Sequence, residues 1–371
     1  MNLRQMLLIV RFKKIKMETI EAFLTLVRLG IGNNASELPK RVDWPKVREI
    51  AEQQGLYAVV LDGIEKLPQS YRPPQEILLE WIGEVLQGYE YIYEQYGKTI
   101  SELAGFYNCH GYKMMVLKGY ACSLDWPKPN HRPCGDIDIW QFGAYKEADK
   151  AIATERGVKV DKSHHHHTVF EWRDFTVENH YDFINVHHHR SNVEIDKEFK
   201  KLAMDDSYSV KVGGEKVYLP SPNLHALFLM RHAMNHFSTS EISLRNLLDW
   251  AFFVEKNGKE VDWKWLLQRM EHYGMMPLFQ IFNAICVEEL GFKVSLFPTV
   301  QFLPDLKEKV FKEILSPSYG SVEPKNIFKR VIFKYKRWKG NGWKHELCYN
   351  ESLWSAFWSG VWSHLLKPAS I

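Results

Sequence analysis

The run Arg132-Pro133-Cys134-Gly135-Asp136-Ile137-Asp138-Ile139-Trp140 constrains this 371-residue chain more than any other feature. Acids alternate with β-branched apolar residues, and a strand puts residues i and i+2 on one face. Asp136 and Asp138 therefore share a face, while Ile137 and Ile139 turn toward a core. Adjacent carboxylates repel unless a cation sits between them or one holds a proton. Hard divalent cations such as Mg²⁺ suit oxygen ligands and commonly bridge to substrate phosphates. The bland reading is a pair of acids capping the next element, and an isolated D-x-D carries little weight.

The surroundings add weight. A β-like run at 114–117 ends in Lys118-Gly119, and a short helical stretch follows at 120–124. That brings together an ammonium, backbone N–H groups at a helix start, and a glycine that permits close backbone approach. A triphosphate is the ligand such a turn suits.

Along the chain, three textures alternate. Residues 17–112 read as helical: Asp43 before Trp44-Pro45 starts one helix, and a long periodic stretch runs over 76–107. Residues 113–220 mix β-like runs at 136–140, 168–172 and 175–183 with a helix at 145–156 and a hairpin at 210–219 around Gly213-Gly214. Residues 221–371 return to helix, beginning at Ser221-Pro222 and ending in a Trp-rich, Lys-rich tail. The fold class expected is α+β, a small mixed-sheet core at 113–220 between a helical N-terminal region at 17–112 and a helical C-terminal region at 221–371. Residues 1–16 read as an upstream extension without a signal-peptide cleavage site.

Composition excludes some functions. Forty-eight Lys plus Arg against 45 Asp plus Glu give a net charge of +3. There is no global cationic field of the kind that drives sequence-independent nucleic-acid binding, so nucleic acid is not an expected partner. Five cysteines, an odd number with no C-x-x-C, read as reduced thiols and a cytoplasmic location.

Lys118-Gly119, then Arg132, then Gly135-Asp136-Ile137-Asp138-Ile139 resemble the polymerase-β-type nucleotidyltransferase superfamily. The match is best to its uncharacterised nucleotidyltransferase family, found in bacteria, which pairs a Lys-Gly turn with an Arg four residues before the D-x-D strand and a later Glu-x-His. Glu178-Asn179-His180 supplies that element, and the resemblance continues through Leu227 to His232 and Leu247 to Trp250. The broader superfamily carries Gly-Gly or Gly-Ser where this chain has Lys118-Gly119. The resemblance implies transfer of a nucleotidyl group from an NTP, ATP included, with pyrophosphate leaving. It also implies two-metal chemistry with Mg²⁺, Mn²⁺ being the alternative. Asp136 and Asp138 would hold the metals, Glu178 would be the third carboxylate, and Lys118 or Arg132 would neutralise phosphate. Gly119 and His180 would complete the nucleotide site. Glu171, Asp174 and Asp182 are rival acids to Glu178. The acceptor expected is a small metabolite or sugar, with a protein acceptor as the second choice.

Histidines and the tail carry competing readings. His164 to His167 read mainly as surface imidazoles, and at most two of them can face one site if the run is a strand. His225, His232 and His236 fall on one helical face, a spacing that a zinc site could use, although no H-E-x-x-H accompanies them. Between 325 and 344 lie eight Lys or Arg and no Asp or Glu, interleaved with Phe328, Phe333, Tyr335, Trp338 and Trp343. Such a segment suits either single-stranded nucleic acid, whose bases stack on rings, or a membrane surface; with the apolar stripe of the last helix, 352–366, it reads first as packing against the helical region and second as peripheral membrane contact. Two functional alternatives stand beside the transferase: a non-catalytic nucleotide-binding protein of the same fold, and a His-dependent metal hydrolase.

Overall fold

The computed structural model describes residues 3–301, 303–319, 324 and 326–366. Five helices come first: α1 (Leu3–Ile31), α2 (Trp44–Gln53), α3 (Tyr57–Glu65), α4 (Gln75–Val85) and α5 (Ile92–Cys109). Residues 1–2 of the expected extension, and all side chains of 1–16, lie outside the described residues; its backbone from Leu3 continues into α1. Asp43 caps α2 by accepting from the Lys46 N–H at 3.2 Å, with Pro45 in the first turn. α1 and α3 cross at two glycines. A Cβ on Gly30 would lie 2.1 Å from the Val59 carbonyl oxygen, and one on Gly63 2.1 Å from that of Leu26.

The periodic stretch expected as one helix is broken by a π-helical turn, Leu86–Tyr91. The turn moves the buried stripe from one core to another. Trp81 and Val85 before it pack with α1–α3, whereas Tyr96, Ile100 and Leu103 after it pack beneath the sheet. An unbroken α-helix keeps its apolar stripe on one side, and an inserted residue re-phases it.

The middle of the chain supplies β1 (Met115–Val116), α6 (Lys118–Ser123), β2 (Ile137–Trp140), α7 (Tyr145–Arg156), β3 (His167–Trp172), β4 (Phe175–His180), α8 (Arg190–Asp205), β5 (Tyr208–Val212) and β6 (Glu215–Leu219). The six strands form one mixed sheet in the order β3-β4-β2-β1-β6-β5. β2 runs parallel to β4 and β1 parallel to β6, while the remaining neighbours are antiparallel. Gly213 and Gly214, both at positive φ, turn the β5–β6 hairpin. Ile137, Ile139, Val177, Phe170 and Val217 face α5 and α7 across one core. The opposite sheet face looks toward the C-terminal helices.

Those helices are α9 (Pro222–Thr239), α10 (Leu244–Asn257), α11 (Trp263–His272), α12 (Met276–Glu288), α13 (Pro304–Leu315), α14 (Ile327–Gly340), α15 (Gly342–Cys348) and α16 (Leu353–Leu366). α9 to α12 build a second, larger core around Trp250, Phe228, Phe237 and Phe279, shared with α1–α3. Among the described residues, no helix is long and apolar enough to cross a membrane. On the last helix Trp354 and Phe357 rest against Trp338, while Trp354 and Trp358 remain more than half exposed. Its side chains from 360 onward lie outside the described residues.

Candidate active site

The site is built on the sheet face opposite Ile137 and Ile139. In the parallel pairing of β2 with β4, Asp138 stands beside Glu178 and Trp140 beside His180. β3 adds His167 opposite His180. Glu178 and His180, two apart on β4, share the face of Asp138, as strand alternation requires. Asp136 lies just before β2, exposed, with its backbone carbonyl accepting from the Tyr96 hydroxyl at 2.8 Å.

The chain enters the site through a strained turn. After β1 the Leu117 N–H donates to the Asp138 carbonyl at 2.9 Å. Lys118 then takes φ +32°, a left-handed value that is costly for a residue with a Cβ. A Cβ on Gly119 would fall 2.4 Å from the Tyr96 hydroxyl oxygen, so glycine is the residue that fits there. The strained turn carries the Lys118 ammonium to 2.7 Å from Asp138 Oδ1. α6 itself has six residues, too few for a helix terminus of consequence, so the expected helix-dipole contribution to phosphate binding falls away.

Asp138 is the electrostatic centre. Its Oδ1 accepts from both Lys118 Nζ and, at 2.9 Å, His180 Nε2. Burial works to raise its pKa, but Lys118 and His180 outweigh it and hold the carboxyl well below the usual range. Burial likewise opposes the charge on His180, yet Asp138 and Glu178 prevail and raise it. As an imidazolium, His180 donates from Nε2 to Asp138 and from Nδ1 to the Asp182 carbonyl, 3.3 Å away. Glu178 lies 3.5 Å from His180 Nε2 and 3.7 Å from His167 Nε2, and its carboxyl is lowered chiefly through His180 despite burial. Asp136 goes the other way: burial and then the charges of Glu178 and Asp138 raise it.

Three carboxylates thus surround a lysine and a histidine, and the ammonium already sits where a cation would neutralise Asp138. Carboxylate oxygens of Asp138 and Glu178 with a ring nitrogen of His180 lie within 4.8 Å of one another, a donor set that fits a divalent metal once His180 gives up its Nε2 proton. His166, His167 and His180 form an adjoining group. Burial and neighbouring imidazoles push His167 down to about 4, and its Nδ1 and that of His166 have no hydrogen-bond partner. Part of the four-His run is therefore buried against the site, where the bland reading had expected surface residues. The rings of His166 and His167 stand 5.5 and 5.2 Å from that of His180.

Arg132 is placed differently from the expectation. Its Nε and Nη2 donate to the two oxygens of Asp249 at 2.7 and 2.9 Å, with both side chains buried. A guanidinium saturated in this bidentate way positions the chain and does not reach out to phosphate. Trp126 Nε1 donates to the same carboxylate at 2.8 Å, and His131 bridges Asp62 and Glu90 at 2.8 and 3.0 Å. The loop leading to Asp136 is thereby tied to α3, to the π-helical turn and to α10. Sequence reasoning named Arg132 but missed its partner 117 residues away, and it missed Tyr96, whose hydroxyl role has no local signature.

The helical histidines do not converge. His225 packs on Phe253 and lies 3.7 Å from Cys122 Sγ, whereas the rings of His232 and His236 lie 4.5 Å apart and are lowered by burial and then by the Lys118 charge. His189, His345 and Glu351 make a separate cluster. Burial lowers both imidazoles and the nearby Arg231 guanidinium adds to it, a charge that also opposes a dication there.

The family model described as "Uncharacterised nucleotidyltransferase" matches residues 40–291 of the chain. No curated protein matches. Among solved structures, the crystal structure of an antigenic nucleotidyltransferase-like protein from Paracoccidioides brasiliensis is similar at 14% identity, covering 43% of this chain and 75% of that one. Its TM-score of 0.31 is too low to support a functional argument.

Proposed function

The chain belongs to the uncharacterised nucleotidyltransferase family, and from that premise we propose that it moves a nucleotidyl group from an NTP to the hydroxyl of a small metabolite or sugar. The observation that supports this most is Asp138 paired in register with Glu178, with the Lys118 ammonium held against it. Asp136, Asp138 and Glu178 would hold Mg²⁺, with Mn²⁺ favoured if His180 or His167 also ligates. Divalent cations bound there supply charge neutralisation for the attacking and leaving oxygens of an in-line displacement.

The protein's own groups do the rest. Lys118, displaced from Asp138 on nucleotide arrival, neutralises the triphosphate, and Gly119 leaves room for it. The acceptor oxygen bonds to the α-phosphorus as the bond to the bridging oxygen breaks and pyrophosphate departs. The hydroxyl proton passes to Glu178, a carboxylate kept ionised by His180. His180, held between Asp138 and the Asp182 carbonyl, fixes the angle between the two acids.

The test is pyrophosphate release with each of the four NTPs, Mg²⁺ and a pool of hydroxylated metabolites. Release should disappear in Asp138→Asn and in Glu178→Gln while both remain folded. Undiminished release in both folded variants would refute the assignment. Mg²⁺-dependent NTP binding with no release in any mixture would make the protein a nucleotide binder instead.

A further inference from the structure

Seven of the 17 exposed large apolar side chains among the described residues lie on α14 and α16. On α14, Phe328, Val331, Ile332 and Tyr335 are each more than half exposed. Their spacing of i, i+3, i+4 and i+7 places them on one helical face. On α16, Trp354, Phe357 and Trp358 repeat the i, i+3, i+4 pattern. Trp338 joins the two helices, its ring 5.0 Å from Trp354 and 5.2 Å from Phe357. Apart from these mutual contacts, the stripe stands open to solvent among the described residues.

Charge says what covers it. Residues 325–344 hold eight of the chain's 48 Lys plus Arg and none of its 45 Asp plus Glu, so the rest of the chain is net acidic. Lys329, Arg330, Lys334, Lys336 and Lys339 are exposed beside the apolar stripe. A helix with an apolar face, a basic flank and Trp at its edge lies in the plane of a membrane interface. No described helix is long and apolar enough to cross one.

We propose that α14 and α16 form a docking surface for an anionic lipid bilayer, with the apolar stripe entering the headgroup layer and the lysines and arginines meeting lipid phosphate and carboxylate. Two other occupants fit worse. A single-stranded nucleic acid stacks on rings, but Val331 and Ile332 at the centre of the stripe offer it no stacking surface. A second copy of the chain would bring the same basic patch against itself across a two-fold contact. The proposal is independent of the transferase reading, because none of these residues belongs to the carboxylate site.

The experiment is co-sedimentation of the full chain with vesicles of phosphatidylcholine alone and of seven parts phosphatidylcholine to three parts phosphatidylserine. Tryptophan emission is recorded in parallel. The expected result is enrichment with the anionic vesicles, a blue shift of emission, and release by salt. Each basic residue near an anionic surface is worth about fivefold in partitioning. Lys329→Glu/Lys336→Glu should therefore lower binding by more than about twentyfold, and Phe328→Ser/Ile332→Ser should abolish the blue shift. These side chains are exposed, so folding is preserved, and unchanged circular dichroism confirms it. Equal partitioning onto the two vesicle types, or no sedimentation with either, overturns the proposal. So does binding to an RNA oligonucleotide or self-association in place of vesicle binding.

Discussion

Asp249→Asn is the sharpest probe of how the site is held. The carboxylate takes two bonds from Arg132 and one from Trp126, all within 2.9 Å and out of water. Asparagine keeps the size and leaves one oxygen for Trp126, but it turns an amide N–H₂ or a neutral oxygen toward a buried guanidinium. Arg132 would then be unpaired beside Arg245, a buried guanidinium lowered first by burial and then by the Arg132 charge. Breaking one partner of a buried pair costs about 3–5 kcal/mol, because the remaining charge stays out of water. Arg132→Met leaves the buried Asp249 carboxylate with the neutral Trp126 N–H and no counter-charge, and should cost a similar amount. The double variant Arg132→Met/Asp249→Asn should lose about as much as either single one, a coupling energy of roughly 3 kcal/mol. Urea unfolding of the four proteins gives these numbers directly. The reasoning is refuted if the two effects add to within about 0.5 kcal/mol. It is refuted equally if Arg132→Met leaves stability intact and weakens NTP binding tenfold, since the arginine would then serve phosphate after all.

Other perturbations test separate joints. Tyr96→Phe removes the hydroxyl that holds the Asp136 carbonyl; it should cost about 1 kcal/mol of stability and raise the Mg²⁺ concentration needed for nucleotide binding by roughly tenfold, whereas an unchanged Mg²⁺ titration would free Asp136 from that anchor. Gly63→Ala pushes a methyl against the Leu26 carbonyl and should destabilise by about 1–3 kcal/mol in urea unfolding; a neutral result would mean that α1 and α3 do not meet at this glycine. Burial lowers His225 to about 4, with Asp249 and Arg132 acting oppositely on it. Its native pKa lies below the unfolded value, so the unfolded chain binds more protons and stability is lost as pH falls from about 6.5 to 4. His225→Gln should flatten the measured slope in that window by up to one proton, and an identical slope would show that His225 does not titrate there.

Much of the site was legible locally. The alternation in Gly135 to Ile139 is a period-2 signal, and the structure turns Ile137 and Ile139 into the core while Asp138 faces out of it. Helix starts at Asp43 and Ser221 were legible for the same reason, since caps act over three or four residues. The π-helical turn was not, because the residues of 76–107 keep an apolar rhythm and only the two cores require the stripe to move. The burial of His165 and His167 was missed because polarity pointed outward, and only the pairing of β3 with β4 brings His167 onto His180.

What the chain determined by itself is what acts over a few residues: an acid at the start of a strand and another on its face, a lysine and a glycine at a turn that follows a strand, helices bounded by caps and prolines, and a basic segment interleaved with rings. Tertiary structure decided who meets whom. It seated the Lys118 ammonium on Asp138, set Glu178 beside that acid, gave Arg132 to Asp249 instead of to phosphate, and left Phe328, Tyr335, Trp354 and Trp358 more than half exposed. The physical reason is range. Strand phase and helix caps are written in neighbouring residues, but a charge finds its partner through the packing of segments far apart in sequence, and burial then makes that one partner compulsory.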